Sequence, residues 1–145
     1  MNTTNILIGG EAGQGLVTVG ELLAKSLVRA GYRIVVTQSY MSRIRGGHNT
    51  FAIRTGSEPI DASQETVDLL VALNDETIAL HAKELTTGGL IVTDAGSKIT
   101  IAVPCLKPPL GELASGKQVN IAALGVAGCL LRLAEPVLRA VIDDY

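Results

Sequence analysis

The stretch Asn5-Ile-Leu-Ile-Gly-Gly-Glu-Ala-Gly-Gln-Gly-Leu16 decides the fold. Its first part, Asn5 to Gly9, is a short apolar run and reads as a buried strand. A glycine-rich turn from Gly9 to Gly15 follows and opens directly onto a helical pattern. From Leu16 to Ala30, apolar residues fall at 16, 19, 23, 27 and 30, the spacing of one helical face, and Gly31 supplies the stop. Arg33 to Gln38 is a second strand. Strand, helix and strand in this order predict a βαβ unit, which is right-handed and parallel in nearly all proteins.

The rest of the chain repeats the alternation. Thr50 to Thr55 reads as a third strand and Val67 to Leu73 as a further buried one. Asn74 or Asp75 can cap a helix from Glu76 to Leu85, which Gly88-Gly89 would close. Leu90 to Thr93 and Ile99 to Val103 are expected strands, the second ended by Pro104. Cys105 to Lys117 reads as a loop. Asn120 is expected to cap an Ala/Gly-rich helix running to Leu133, thin enough to approach a sheet or a partner closely. Pro136 opens a last helix, which reaches Tyr145 without a stop signal and suggests a piece of a longer polypeptide.

Composition agrees with this reading. The 145 residues suit one domain, 1–145, with a proper core. Apolar residues make up 47% and aromatics only 3%, so the core must be aliphatic, as in a parallel sheet covered by helices. The expected class is α/β: a single Rossmann-like domain, mostly parallel sheet, with helices on both faces. A net charge of −2 gives no general case for nucleic acid or a membrane surface. No apolar run reaches the roughly 18–20 residues of a membrane span, and no signal peptide is legible, so a cytoplasmic location is expected. Cys105 and Cys129 form no CxxC pair, and neither an iron–sulfur cluster nor a zinc site can be built from them.

The glycine turn, Gly10-Glu-Ala-Gly-Gln-Gly15, has the strand-to-helix setting of a dinucleotide fingerprint. Ala12 replaces the central glycine, however, and the second strand ends Val36-Thr-Gln-Ser-Tyr40 with no carboxylate for ribose hydroxyls. Exposed amides at the helix start would still suit a phosphate or another anion. A tight turn that binds nothing is the competing reading.

Arg43-Ile-Arg-Gly-Gly-His48 follows the second strand, on the same carboxyl edge of the sheet as the turn. Two guanidinium groups could fork to phosphate or carboxylate, and Gly46-Gly47 lets backbone approach another surface. A solvated basic loop is the alternative. His48 has no triad spacing, so a structural or interface hydrogen bond is expected of it, and His81 lies inside a predicted helix. No residue is assigned as catalytic and none as a metal ligand.

Taken together, the turn Gly10–Gly15, the helix after it with Thr18, Gly20, Leu23 and Ala24, the run Gln38–Thr50 and the segment Asn120-Ile-Ala-Ala-Leu-Gly125 resemble the gamma component of the 2-oxoacid:ferredoxin oxidoreductases. The resemblance covers about Asn5 to Leu133. It is similar above all to the 2-oxoglutarate-type enzymes in which gamma is fused to alpha.

The resemblance implies a whole enzyme that uses thiamine diphosphate and iron–sulfur clusters to decarboxylate a 2-oxoacid oxidatively. Such an enzyme makes an acyl-coenzyme A and passes electrons to ferredoxin. It implies alpha and beta components as partners, holding the thiamine and the clusters, while this chain binds no cofactor alone. A contribution to coenzyme A binding makes Gly10, Gly13, Gln14, Gly15, Arg43, Arg45, Gly46 and Gly47 the candidate contact residues. The alternative is a stand-alone Rossmann-like nucleotide-binding protein, against which Ala12 and the missing acid count.

Overall fold

In the computed structural model of the chain, residues 3–11, 15–40, 47–57, 66–98, 104–110 and 119–144 are described. They build a six-stranded sheet from β1 (Thr4–Glu11), β2 (Arg33–Tyr40), β3 (His48–Gly56), β4 (Val67–Ala72), β5 (Leu85–Val92) and β6 (Cys105–Leu106). Helices α1 (Leu16–Arg29), α2 (Asp75–His81), α3 (Val119–Leu130) and α4 (Glu135–Asp143) pack against it. No helix among the described residues is long and apolar enough to cross a membrane.

The apolar run in β1 is explained by helices on both faces of the sheet. Ile6 and Ile8 point into a core shared with α1, α3 and α4, while Leu7 points the other way, beside Ile78 of α2. Side chains alternate along a strand, so a strand covered on both faces must be apolar at both parities. The first core is aliphatic apart from Phe51, which lies against α1 at Gly20. A β-carbon at Gly20 would sit 2.3 Å from the Phe51 ring, so only glycine lets helix and sheet close to this spacing.

Sheet order is β2-β3-β1-β4-β5-β6. β1 pairs in parallel with β4, β4 with β5, and β5 with β6, whereas β3 is antiparallel to both β1 and β2. Two reversals restore the direction, so β2 runs with β1 and only β3 opposes the others. The expected mostly parallel α/β sheet is present, and β1 and β2 are parallel as a βαβ unit requires. They are not neighbours, however: the hairpin partner of β2, β3, is inserted between them. Nothing in the local sequence of β3 distinguishes a strand that folds back inward from one that continues outward.

Other differences from expectation are local. The helix expected over Glu76–Leu85 ends at His81, continues as a 3-10 turn over Ala82–Glu84, and gives way to β5 at Leu85. Gly88 and Gly89, expected to close that helix, lie inside β5. The register steps from Val67↔Leu85 to Leu69↔Leu90, so β5 bulges there, and Gly88 takes the positive φ of 86° that the bulge demands. Cys105–Leu106, expected to be loop, forms the short β6. The strand expected over Ile99–Val103 lies outside the described residues. Asn74 caps α2, its Oδ1 accepting from the Thr77 amide at 3.0 Å, and Pro136 opens α4 as expected.

Candidate functional site

Register places the two predicted motifs together. Glu11 at the end of β1 pairs with His48 at the start of β3, and Gly10 pairs with Asn49. The chain leaving β1 into the glycine turn and the chain arriving from the basic loop therefore meet side by side at one end of the sheet. Three of the sequence-predicted contact residues are described. Gly10 is buried in β1, Gly15 precedes α1, and Gly47 is buried just before β3. Gly13, Gln14, Arg43, Arg45 and Gly46 lie outside the described residues.

Gly15 has φ 79° and starts α1 in the left-handed region, which glycine adopts without strain. The first turn of α1 carries no acidic residue, so nothing there neutralises the partial positive charge of its amides. The Gly15 carbonyl faces the side chain of Asn120, whose Nδ2 donates to it at 3.5 Å. Asn120 was expected to cap α3; instead it lies inside the first turn of that helix and spends its amide on the glycine turn. Two motifs separated by 105 residues thus form one structure.

Beside them lies a network that the sequence reading missed. His48 Nε2 is 2.8 Å from His81 Nε2, the rings stack with centroids 5.0 Å apart, and His81 Nδ1 meets the Glu84 carboxylate. The carboxylate can only accept, so His81 Nδ1 carries a proton. In neutral His81, Nε2 is then the acceptor, and His48 Nε2 donates. Gly9 makes this approach feasible, since a β-carbon there would lie 2.4 Å from Thr77 Cγ2 and 3.3 Å from the His48 ring. The His81/Glu84 spacing on one helical face was legible in the sequence. The meeting with His48, 33 residues away, was not.

Comparison with known proteins decides the lineage. The family model described as pyruvate ferredoxin/flavodoxin oxidoreductase matches residues 5–145. The chain belongs to that family. Among the similar proteins, a 2-oxoglutarate synthase subunit from Archaeoglobus fulgidus is 26% identical over 96% of this chain and 76% of its own length. The alpha subunit of a 2-oxoacid:ferredoxin oxidoreductase from Aeropyrum pernix is 31% identical over 75% of this chain. The chain spans only 17% of the length of that subunit and of its Sulfolobus counterpart.

Solved structures share the fold. A keto/oxoacid ferredoxin oxidoreductase gamma subunit from Geobacter sulfurreducens superposes with a TM-score of 0.82 at 22% identity, covering 98% of this chain and 84% of that one. The 2-oxoglutarate:ferredoxin oxidoreductase of Magnetococcus marinus, solved with 2-oxoglutarate, coenzyme A and succinyl-CoA bound, gives 0.84 at 23% identity, covering 99% of this chain and 27% of that one. The chain therefore has the fold of these two proteins.

Proposed function

We propose that this chain is the gamma component of a thiamine-diphosphate-dependent 2-oxoacid:ferredoxin oxidoreductase of the 2-oxoglutarate type. In this reading the complete enzyme decarboxylates a 2-oxoacid, forms the acyl-coenzyme A and reduces ferredoxin. Thiamine diphosphate, held by the alpha and beta components, supplies the carbanion chemistry of decarboxylation, and iron–sulfur clusters elsewhere in the complex carry the electrons. The gamma component docks on that core and contributes to the grip on coenzyme A.

The observation that carries the reading is the Glu11↔His48 pairing, which sets the glycine turn beside the start of β3. An α1 start without acidic residues offers amides to an anion, and Arg43 and Arg45 precede β3 by a few residues in the sequence. Coenzyme A is rich in phosphate, which suits both features. Support also comes from the 2-oxoglutarate synthase relative, aligned over nearly the whole chain.

Two experiments test this. Affinity capture of the chain from its source should bring down thiamine-diphosphate-binding subunits and 2-oxoacid-dependent viologen reduction. The double change Arg43→Ala/Arg45→Ala should raise the apparent KM for coenzyme A by about tenfold or more, the scale of one lost charge-assisted contact, with kcat retained. An unchanged KM in an intact complex would remove the coenzyme A role.

A further inference from the structure

The two edges of the sheet are built differently. On one side the sheet stops at β6, only two residues long, and so short an edge offers little to pair with. On the other side it stops at β2, whose eight residues, Arg33–Tyr40, run in register with β3 along their whole length without a bulge. The outer edge of β2 pairs with no strand among the described residues. Its outward N–H and C=O groups are a template for one more strand. The devices that usually blunt such an edge are missing. β2 contains no proline and no lysine, and its sole charge, Arg33, stands at the first residue. Arg33 and Val36 to Ser39 are exposed, Val36 by 39%.

The strand is complementary to a second copy of itself. In an antiparallel pair about a two-fold axis at Thr37, Thr37 opposes Thr37 of the partner copy, Val36 opposes Gln38, and Val35 opposes Ser39. β-Branched and hydroxyl side chains then meet at the centre, where such cross-strand pairs are favourable. The two Arg33 side chains lie at opposite ends, whereas a parallel pair would bring them together. Helix α1, which packs on β2 and β3 and runs against β2, repeats this complementarity. Glu21 and Lys25 are exposed one turn apart, on a stripe shared with Val28, itself 53% exposed. Arg29, on the neighbouring stripe, reaches Asp144 of α4, so α4 lies to that side and β2 to the other. Gly20 stands over Phe51, the partner of Gln38, so Glu21 lies near the level of Thr37. With a rise of about 1.5 Å per residue in a helix and about 3.4 Å in a strand, Lys25 lies near the level of Val36. The two-fold turns each helix end for end and sets Glu21 of one copy toward Lys25 of the other.

We propose that the β2 edge is a homodimer interface, at which two copies of this chain join their sheets antiparallel into one continuous sheet. The same patch serves both copies, so the contact closes at two and hides the open edge of each. This does not depend on the role proposed for the glycine turn.

Sedimentation equilibrium of the 145-residue chain tests the proposal. The mass should rise with concentration from 15.1 kDa to twice that value, with a Kd in the micromolar range. Thr37→Lys and Thr37→Glu each set like charges against one another across the axis and should weaken association by about tenfold or more. An equimolar mixture of the two variants opposes lysine to glutamate and should associate about as tightly as the wild type, which separates a lost contact from a lost fold. A chain that stays monomeric up to about 500 µM would overturn the proposal and leave the edge to a strand of another polypeptide. So would variants that each dimerise as tightly as the wild type, or a mixture that associates no better than either variant alone.

Discussion

The side-chain amide of Asn120 reaches the carbonyl of Gly15 at 3.5 Å, joining the start of α3 to the start of α1. Gly15 takes φ 79°, and a β-carbon there would lie 2.4 Å from Asn120 Nδ2. The backbone conformation favours glycine at this position, and any larger residue would also push the Asn120 side chain aside.

Gly15→Ala should destabilise the protein by about 1–3 kcal/mol, from the left-handed backbone and the collision together. Asn120→Ala removes one long hydrogen bond and should cost less than about 1 kcal/mol. Because the smaller side chain also relieves the collision, the double variant should be more stable than the sum of the two losses predicts. Urea denaturation of the four proteins measures this, and strict additivity would show that the contact is not shared.

Gly20→Ala drives a methyl group into Phe51, where ring atoms stand 2.3 Å from the ideal β-carbon. Both partners are buried, so overpacking should cost about 1–3 kcal/mol despite the better helix propensity of alanine. Phe51→Leu in the Gly20→Ala background should recover part of that loss in thermal denaturation. A Gly20→Ala protein as stable as wild type would mean that α1 can stand further from the sheet.

The His48–His81–Glu84 chain fixes tautomers that nitrogen NMR can read. In the neutral rings, His81 should carry its proton on Nδ1 and His48 on Nε2. Replacing Glu84 by Leu removes the acceptor that holds the His81 tautomer and should change both imidazole signatures. Identical spectra for the wild type and Glu84→Leu would break the proposed order of donors.

Burial pushes the Cys105 thiol above its ordinary range, with Lys107 lowering it in part. A raised thiol holds less thiolate at neutral pH, so alkylation of Cys105 should be slow near pH 7 and accelerate as pH rises. Cys129 is exposed and should be modified first. Iodoacetamide labelling with peptide mass spectrometry gives both rates, and faster modification of Cys105 at pH 7 would contradict this order.

Much of the architecture was legible along the chain because it is local. The apolar run of β1, the spacing within α1, the Asn74 cap and Pro136 in the first turn of α4 each depend on neighbouring residues. The glycine turn and the Arg-Gly-Gly loop could likewise be picked out by residue type and by position after a strand. Those signals sufficed for the α/β class and for the two motifs.

Position in the sheet was decided only by the tertiary structure. That β3 inserts between β1 and β2 depends on which strand edges pair, a choice made between segments distant in sequence. The same choice brings Glu11 beside His48, His48 against His81, and Asn5 opposite Arg54. Gly88-Gly89 shows the limit from the other side: after a helix they resemble a terminator, and only the pairing with β4 turns them into a bulge. Propensity and periodicity act over a few residues, so the elements and the chemical character of their ends could be read along the chain. Long-range pairing decided which ends meet, because it is set by the mutual fit of surfaces that no single segment contains.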